Sequence, residues 1–260
     1  MKALLGFPKG SDELELLLGF PRIRNTKEVP ETLPTGLSAG PPDVWFDAED
    51  DSTITIATGV SAWLNKGSAG SSASQGTGGN QPLRGKYWNN DRRVLLFDGA
   101  GDRLDIGVSN IDRTCTWFQV GQINTGETAI VFCGTQGNNG DEHQFSPGGT
   151  LTIYDRFAGA AEISASVPGP GDKPFVLAYT LDTGVGTGYM RMNQYATTMA
   201  TTGSASAAGN IAIMFDHISG TITRAGKVAE MIRFPSPLTT AEVDLVMQYL
   251  GQKWDVEVNQ

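Results

Sequence analysis

The sequence predicts an all-β sandwich with one C-terminal helix and an extended N-terminal arm. Three observations predict it. Short runs rich in Val, Ile, Phe, Thr and Trp recur from residue 43 onward, and several alternate with period two. Glycine counts 33 and proline 13 in 260 residues, well above the usual ~12% for the two together. Such turn formers are what many short strands need between them. A single capping box near the end opens one amphipathic run.

Composition excludes several classes. Charged residues make up 18%, too few for a coiled coil, and the glycines have no three-residue period. The formal net charge of −9 argues against a nucleic-acid groove and against docking on anionic membranes. No apolar run is long enough to span a bilayer. The start, Met1 to Pro8, lacks the long apolar core of a signal peptide, and Pro8 and Lys9 interrupt it. Folding in a cytoplasm is therefore expected. Two cysteines, Cys115 and Cys133, make neither a disulfide framework nor a metal quartet.

The arm comes first. Leu4-Leu5-Gly6-Phe7-Pro8 recurs as Leu17-Leu18-Gly19-Phe20-Pro21. Between the copies, Ser11 suits a helix N-cap, and Asp12 and Glu13 suit the positive end of the dipole. Leu14, Leu17 and Leu18 then share a face, and Gly19 with Pro21 ends the helix. Residues 29–42 are proline-spaced and read as an extended linker. Two apolar words on so short a peptide cannot bury each other. They must cover this chain's own domain or a partner. Leu4, Leu5, Phe7, Leu14, Leu17, Leu18 and Phe20 are the candidate partner-binding residues. The boundaries are 1–42 for the arm and linker and 43–260 for the domain.

Strands follow. The expected ones are 44–46, 53–57, 93–97, 103–106, 114–122, 128–133, 150–154, 162–167, 174–181, 188–193, 210–215 and 227–234. The run 175–179 is apolar on both faces, as a middle layer requires. The helix begins at the capping box Thr239-x-x-Glu242. Val243, Val246, Met247 and Leu250 form its apolar stripe, and Gly251 reads as its left-handed cap. Trp254 is expected to pack beneath the helix end. Cys115 and Cys133 fall on successive strands and read as a reduced, buried pair across a hairpin.

Three segments carry a family likeness. Val44-Trp45-Phe46-Asp47-Ala48 goes with Ala62 to Gly67 and with Asn80-Gln81-Pro82. Leu96 to Leu104 contains Phe97-Asp98-Gly99 and Asp102. Val228-Ala229-Glu230 leads through Phe234 to Tyr249-Leu250-Gly251-Gln252-Lys253-Trp254. Together they resemble the laminin-G-like, concanavalin A-like lectin/glucanase jelly rolls, over about residues 43–257. The resemblance implies two curved antiparallel sheets and a role in binding sugars, proteins or other ligands. A minority of such domains cleave glycans. Those with a short N-terminal arm and no signal peptide are similar to domains of bacteriophage virions. That likeness implies a non-enzymatic structural protein, decorating a capsid or associated with a tail. Its arm would dock to other virion proteins and its jelly roll would face host-surface glycans. The alternative is a free-standing carbohydrate-binding module, and the third reading is a glycan-cleaving enzyme.

The residues bear on these readings. Jelly-roll glucanases carry Glu-x-Asp-x-x-Glu on one strand, and no such word occurs here. Glu242 and Asp244 lie on the helix, where alternate residues do not share a face. His143 and His217 are the sole histidines, and no Gly-x-Ser-x-Gly elbow exists. No catalytic residue and no metal ligand is assigned. No cofactor is expected: Asp98, Asp102 and Asp105 cluster as calcium ligands could, but the first two read as turn formers. Sugar binding needs an aromatic face ringed by amides and carboxylates. Tyr87, Trp88, Asn89 and Asn90 fit best, with the loop Asn138, Asn139 and Asp141 second and Tyr195 third. Trp88 keeps two readings, a sugar platform or a cover for the sandwich edge. Trp45, Trp63, Trp117 and Trp254 are read as core.

Overall fold

The structure is a computed structural model. It describes residues 32–86, 91–107, 114–123, 129–134, 140–146, 150–157, 160–168, 173–182, 187–200, 211–216, 222–223 and 225–258. In chain order the first strands are Val44–Asp47 (β1), Ile54–Ile56 (β2), Val60–Trp63 (β3), Ala73–Ser74 (β4), Leu83–Lys86 (β5), Arg93–Asp98 (β6) and Leu104–Ile106 (β7). Then come Cys115–Ile123 (β8), Ala129–Gly134 (β9), Gly140–Ser146 (β10), Thr150–Phe157 (β11), Ala160–Pro168 (β12) and Phe175–Asp182 (β13). Thr187–Met192 (β14), Tyr195–Ala200 (β15), Ile211–Ile213 (β16), Phe215–Asp216 (β17), Ile222–Thr223 (β18) and Ala225–Phe234 (β19) follow. The helix Thr240–Trp254 (α1) ends the series. Among the described residues no helix is long and apolar enough to cross a membrane.

The fold is an antiparallel jelly-roll sandwich. The first sheet runs β15-β14-β13-β8-β19-β6-β5, with β1 also paired to β19. The second runs β12-β11-β10-β9-β16-β7-β4-β3-β2. A two-stranded ribbon joins β17 to β18. The first sheet is a middle layer, because its central strands bury both faces. On β8, Cys115, Trp117 and Ile123 enter the core between the sheets, while Phe118 and Val120 enter the core under α1. On β13, Phe175, Leu177, Tyr179 and Leu181 face the sheets, while Val176 and Ala178 face the helix. The helix stripe of Val243, Val246, Met247 and Leu250 completes that second core. Each such buried aliphatic side chain contributes about 1.5–3 kcal/mol.

Two sequence expectations change here. The helix does not end at Gly251. It continues to Trp254, and Asp255 supplies the left-handed cap at φ 53°. Lys253 and Trp254 have buried partners that hold the extra turn in place. Cys115 and Cys133 do not face each other across a hairpin, because β8 and β9 belong to different sheets. Cys115 is fully buried in the core between the sheets.

The second core also contains charge. A bulge between Val228 and Glu230 shifts the register of β19 against β8. It turns Glu230 toward the helix, opposite Asp47 of β1. Glu230 is fully buried. Its Oε1 accepts from Trp45 Nε1 at 2.8 Å and its Oε2 from Trp254 Nε1 at 2.6 Å. Lys253 Nζ lies 2.8 Å from Glu230 Oε2 and 2.8 Å from Asp47 Oδ2. Lys66 Nζ approaches Asp47 Oδ2 at 3.3 Å and sits 4.4 Å from the Trp45 ring centroid. The lock thus joins β1, β19 and α1.

The described end of the linker packs on the same core. Leu33, Leu37 and Ala39 lie against it. Ser38 donates to Glu242 from its backbone N–H at 2.5 Å and from its hydroxyl at 2.8 Å. Glu242 also completes the capping box with Thr239. These donors, led by the Ser38 amide, hold the Glu242 carboxyl down at about 2.

Two outcomes are expected. Glu230→Ala removes one of the two carboxylates beside Lys253 and the acceptor of the Trp45 and Trp254 indoles, and costs about 3–5 kcal/mol, read as a lower urea midpoint at unchanged m-value. The Glu242 contacts stabilise the folded state above the ordinary glutamate range and are lost as pH falls through about 2. Protection of the Ser38 amide, its exchange relative to an unstructured chain at the same pH, should fall across that interval, and a Glu242→Gln variant should be less protected already at neutral pH.

Candidate functional site

Each sheet ends in an open edge, and the edges meet on one flank. β2 ends the second sheet and β5 ends the first. Between them lies an open groove of about 410 Å³, in the size range of small-ligand sites. Its apolar surface comes from Ile56 of β2 and Leu83 of β5, exposed by 56% and 58%. Thr58, Arg84, Lys86 and Arg93 supply its hydrogen-bonding groups.

The groove is held by backbone and amide contacts. Gly59 N–H donates to Gln81 Oε1 at 3.0 Å, and Gln81 Nε2 donates to the Gln75 carbonyl at 2.8 Å. Val60 N–H donates to the Pro82 carbonyl at 2.7 Å, linking β3 to the start of β5. A side chain at Gly59 would meet the Gln81 carbonyl oxygen at 2.5 Å. The close approach therefore requires glycine.

Charge around the groove is ordered. Arg84 donates to the Ala48 carbonyl at 2.6 Å and pairs with Asp51 at 2.5 Å. Arg93 also pairs with Asp51, and its backbone N–H donates to Glu49 Oε2 at 2.5 Å. Arg84, and then Arg93, hold the Asp51 carboxyl below its usual range. The neighbouring Asp50 caps a short 3-10 helix, Asp51–Thr53, and sits at about 2 through Ser52 and Lys66. The acidic run 49–51 therefore anchors two arginines. Lys86 extends into solvent beside Asp91.

The predicted site residues are distributed unevenly. Tyr87, Trp88, Asn89 and Asn90 lie outside the described residues, as do Asn138 and Asn139. Their chain neighbours Lys86 and Arg93 line the groove. Asp141 lies on β10, paired with Asp155 of β11, rather than in a loop. Leu4, Leu5, Phe7, Leu14, Leu17, Leu18 and Phe20 also lie outside the described residues. Tyr195 opens β15 and is 42% exposed. Trp63, Trp117 and Trp254 are core residues as expected, and Trp45 is half-buried over the lock.

The turn of acids behaves as read. Asp98 Oδ1 accepts from the Ala100 N–H at 2.7 Å, and Asp102 Oδ2 accepts from the Asp98 N–H at 3.0 Å. Asp105 pairs with Arg103. Among the described residues no group of three His, Cys, Asp or Glu side chains could hold a metal ion. Sequence reading missed the groove itself. Leu83-Arg84-Gly85-Lys86 lacks strand composition, so the β5 edge was not visible, whereas the β2 edge falls within the expected strand 53–57. Two large apolar residues beside Gly59 and Gly85 were the available signal.

No family model and no curated protein matches the chain. Solved structures do match in shape. The receptor binding domain of botulinum neurotoxin D superposes with a TM-score of 0.60 at 11% identity, covering 81% of this chain and 52% of that one. The botulinum neurotoxin type G receptor binding domain gives 0.56 at 9% identity, covering 81% and 51%. The serotype D ligand binding domain in complex with N-acetylneuraminic acid gives 0.57 at 11%, covering 81% and 51%. The chain spans about half the length of these domains. At such identity the likeness establishes the fold, a β-sandwich shared with receptor-binding domains.

Because Ile56 and Leu83 carry little buried surface, Ile56→Ser and Leu83→Ser should each move thermal stability by less than about 0.5 kcal/mol. Gly59→Ala forces the backbone apart and should cost about 1–3 kcal/mol. Parallel melts of the three variants check the contrast.

Proposed function

We propose that this protein is a non-enzymatic carbohydrate-binding module, with the edge groove as its ligand face. The observation that carries the reading is the groove's make-up. Exposed Leu83 and Ile56 offer an apolar strip, and Arg84, Lys86, Arg93 and Thr58 offer hydrogen-bonding groups around it. A sugar presents the complementary pattern, an apolar C–H face edged by hydroxyls. Tyr87, Trp88, Asn89 and Asn90 follow Lys86 directly. They are proposed to extend the strip with a stacking ring and amides. Asn138, Asn139 and Asp141 are proposed as a second ligand-contacting segment. The shape likeness to a domain solved with N-acetylneuraminic acid supports the class of ligand.

A second reading concerns the arm. The repeated Leu-Leu-Gly-Phe-Pro word supports docking onto a larger assembly, and a bacteriophage virion, capsid or tail, is the proposed one. A chain starting at residue 32 should fold and bind ligand as the full chain does but fail to join the particle.

The main reading is tested on a glycan array with the full chain. Binding is expected, and Trp88→Ala or Arg93→Ala should weaken it at least tenfold at unchanged circular dichroism. A chain that binds no glycan, or one that binds equally after both substitutions, overturns it.

A further inference from the structure

The lock under α1 has the parts of a reaction centre as well as of an ion pair. Lys253 carries a primary amine. Its Nζ stands 2.8 Å from Asp47 Oδ2 and 2.8 Å from Glu230 Oε2. Asp47 and Lys253 are each more than nine-tenths buried, and Glu230 is wholly so. Aromatic groups close the site. Lys253 Nζ lies 5.6 Å from the Tyr249 ring centroid and 5.3 Å from that of Trp254, and Trp45 and Trp254 each donate to Glu230.

An amine and a carboxylate normally persist as ions in water, because hydration favours the charges. Burial removes that advantage and leaves a penalty on every charge. A neutral amide carries no such penalty, the water formed can leave, and the Glu230 carboxylate that remains keeps its Trp45 and Trp254 indole donors. The geometry points to an intramolecular isopeptide bond between Lys253 Nζ and Asp47 Cγ, formed by the folded chain itself with Glu230 as the proton carrier.

The step balances without a further reagent. The ammonium of Lys253 gives a proton to Glu230, and the freed amine attacks Asp47 Cγ. The N–C bond forms. The Cγ–Oδ2 bond then breaks as Glu230 and the attacking nitrogen supply two protons to Oδ2, which departs as water. Glu230 ends in its starting protonation state. Two further contacts have a place in this sequence, while the Tyr249 hydroxyl, 3.3 Å from Lys253 Nζ and 3.4 Å from Glu230 Oε1, borders both reacting groups. Asp47 Oδ1, which becomes the amide oxygen, already accepts from the Glu49 N–H at 3.1 Å. A donor there favours charge developing on that oxygen. Lys66 Nζ lies 3.3 Å from the departing Oδ2.

Protonation states agree with the roles. Burial, the largest influence, pushes the Glu230 carboxyl up from its usual range, so it can accept and hold a proton. Desolvation acts against the charge on Lys253, but the two carboxylates hold it protonated. The starting state is therefore the ion pair, and the transfer to Glu230 releases the nucleophile.

The bond would join the first strand of the sandwich to its last helix, residues 206 apart in sequence. Such a closed loop restricts the unfolded chain as a long-range disulfide does, with no cysteine and no redox dependence. It is independent of any ligand at the edge groove.

Intact mass spectrometry of the full chain, denatured after purification and incubation, tests the proposal. The expected mass is lower than the sequence mass by one water. Proteolysis should yield a branched peptide joining the segments that contain Asp47 and Lys253. Lys253→Arg keeps a cation and should show the full mass. Glu230→Gln keeps the side-chain volume and should slow formation by about 10²-fold or more. A wild-type chain at full sequence mass overturns the proposal and leaves the cluster a buried ion pair. A mass deficit that persists in Lys253→Arg overturns the assignment equally.

Discussion

The fold depends on a carboxylate that water never reaches. Glu230 lies on a central strand of a sheet buried on both faces. A charge there is tolerated because every nearby group is arranged around it: two indole N–H groups, the Lys253 ammonium and, across it, Asp47. The requirement runs outward from that point. The bulge in β19 exists where Glu230 must turn toward the helix. The helix gains its last turn because Lys253 and Trp254 must reach back. β1 is held in register with β19 so that Asp47 stands opposite. Apolar packing supplies most of the stability, but apolar packing is tolerant of small shifts. The charged cluster is not, and it sets where the helix sits on the sheet.

The groove borders the same part of the chain, through the contacts of Arg84 with Ala48 and Asp51. With α1 on one face of the first sheet and the second sheet on the other, the edge strands β2 and β5 still expose Ile56 and Leu83. β5 and β2 are short, and the β5 edge carries Arg84 and Lys86, features that discourage pairing with another chain. The arginines are braced from behind by Asp51, Glu49 and the Ala48 carbonyl. The stretch from Asp47 to Asp51 therefore serves both sides of the domain. Its first residue belongs to the lock, and its last fixes the groove.

Much of the sandwich was legible in the sequence. The strands β8, β13 and β19 have two buried faces, and the run 175–179 of β13 read as such. The capping box Thr239 with Glu242 marked the helix start to the residue. The helix end was misplaced because Gly251 is a good local stop, and the competing signal, a buried Lys253, is a tertiary one. Strands such as Gly140–Ser146 and Leu83–Lys86 were missed because their residues are polar or small and their strand state comes from neighbours. The family words around Trp45, Asp47, Glu230, Lys253 and Trp254 proved to be one cluster in space. They mark the domain's architecture, whereas the groove rests on residues with no such word.

The strap of residues 32–42 has a mechanical consequence. Tension applied through the arm reaches Leu33, Leu37 and the Ser38–Glu242 contacts before it reaches the sandwich. Those contacts are few and close to solvent, so they yield first and can re-form. Beyond them the load meets Asp43, paired with Arg233, and then β1, which is hydrogen-bonded along β19 and anchored to the helix. The chain thus places a soft, extensible element in series with a stiff one, so a pull on residue 32 lengthens the strap before it distorts the sandwich.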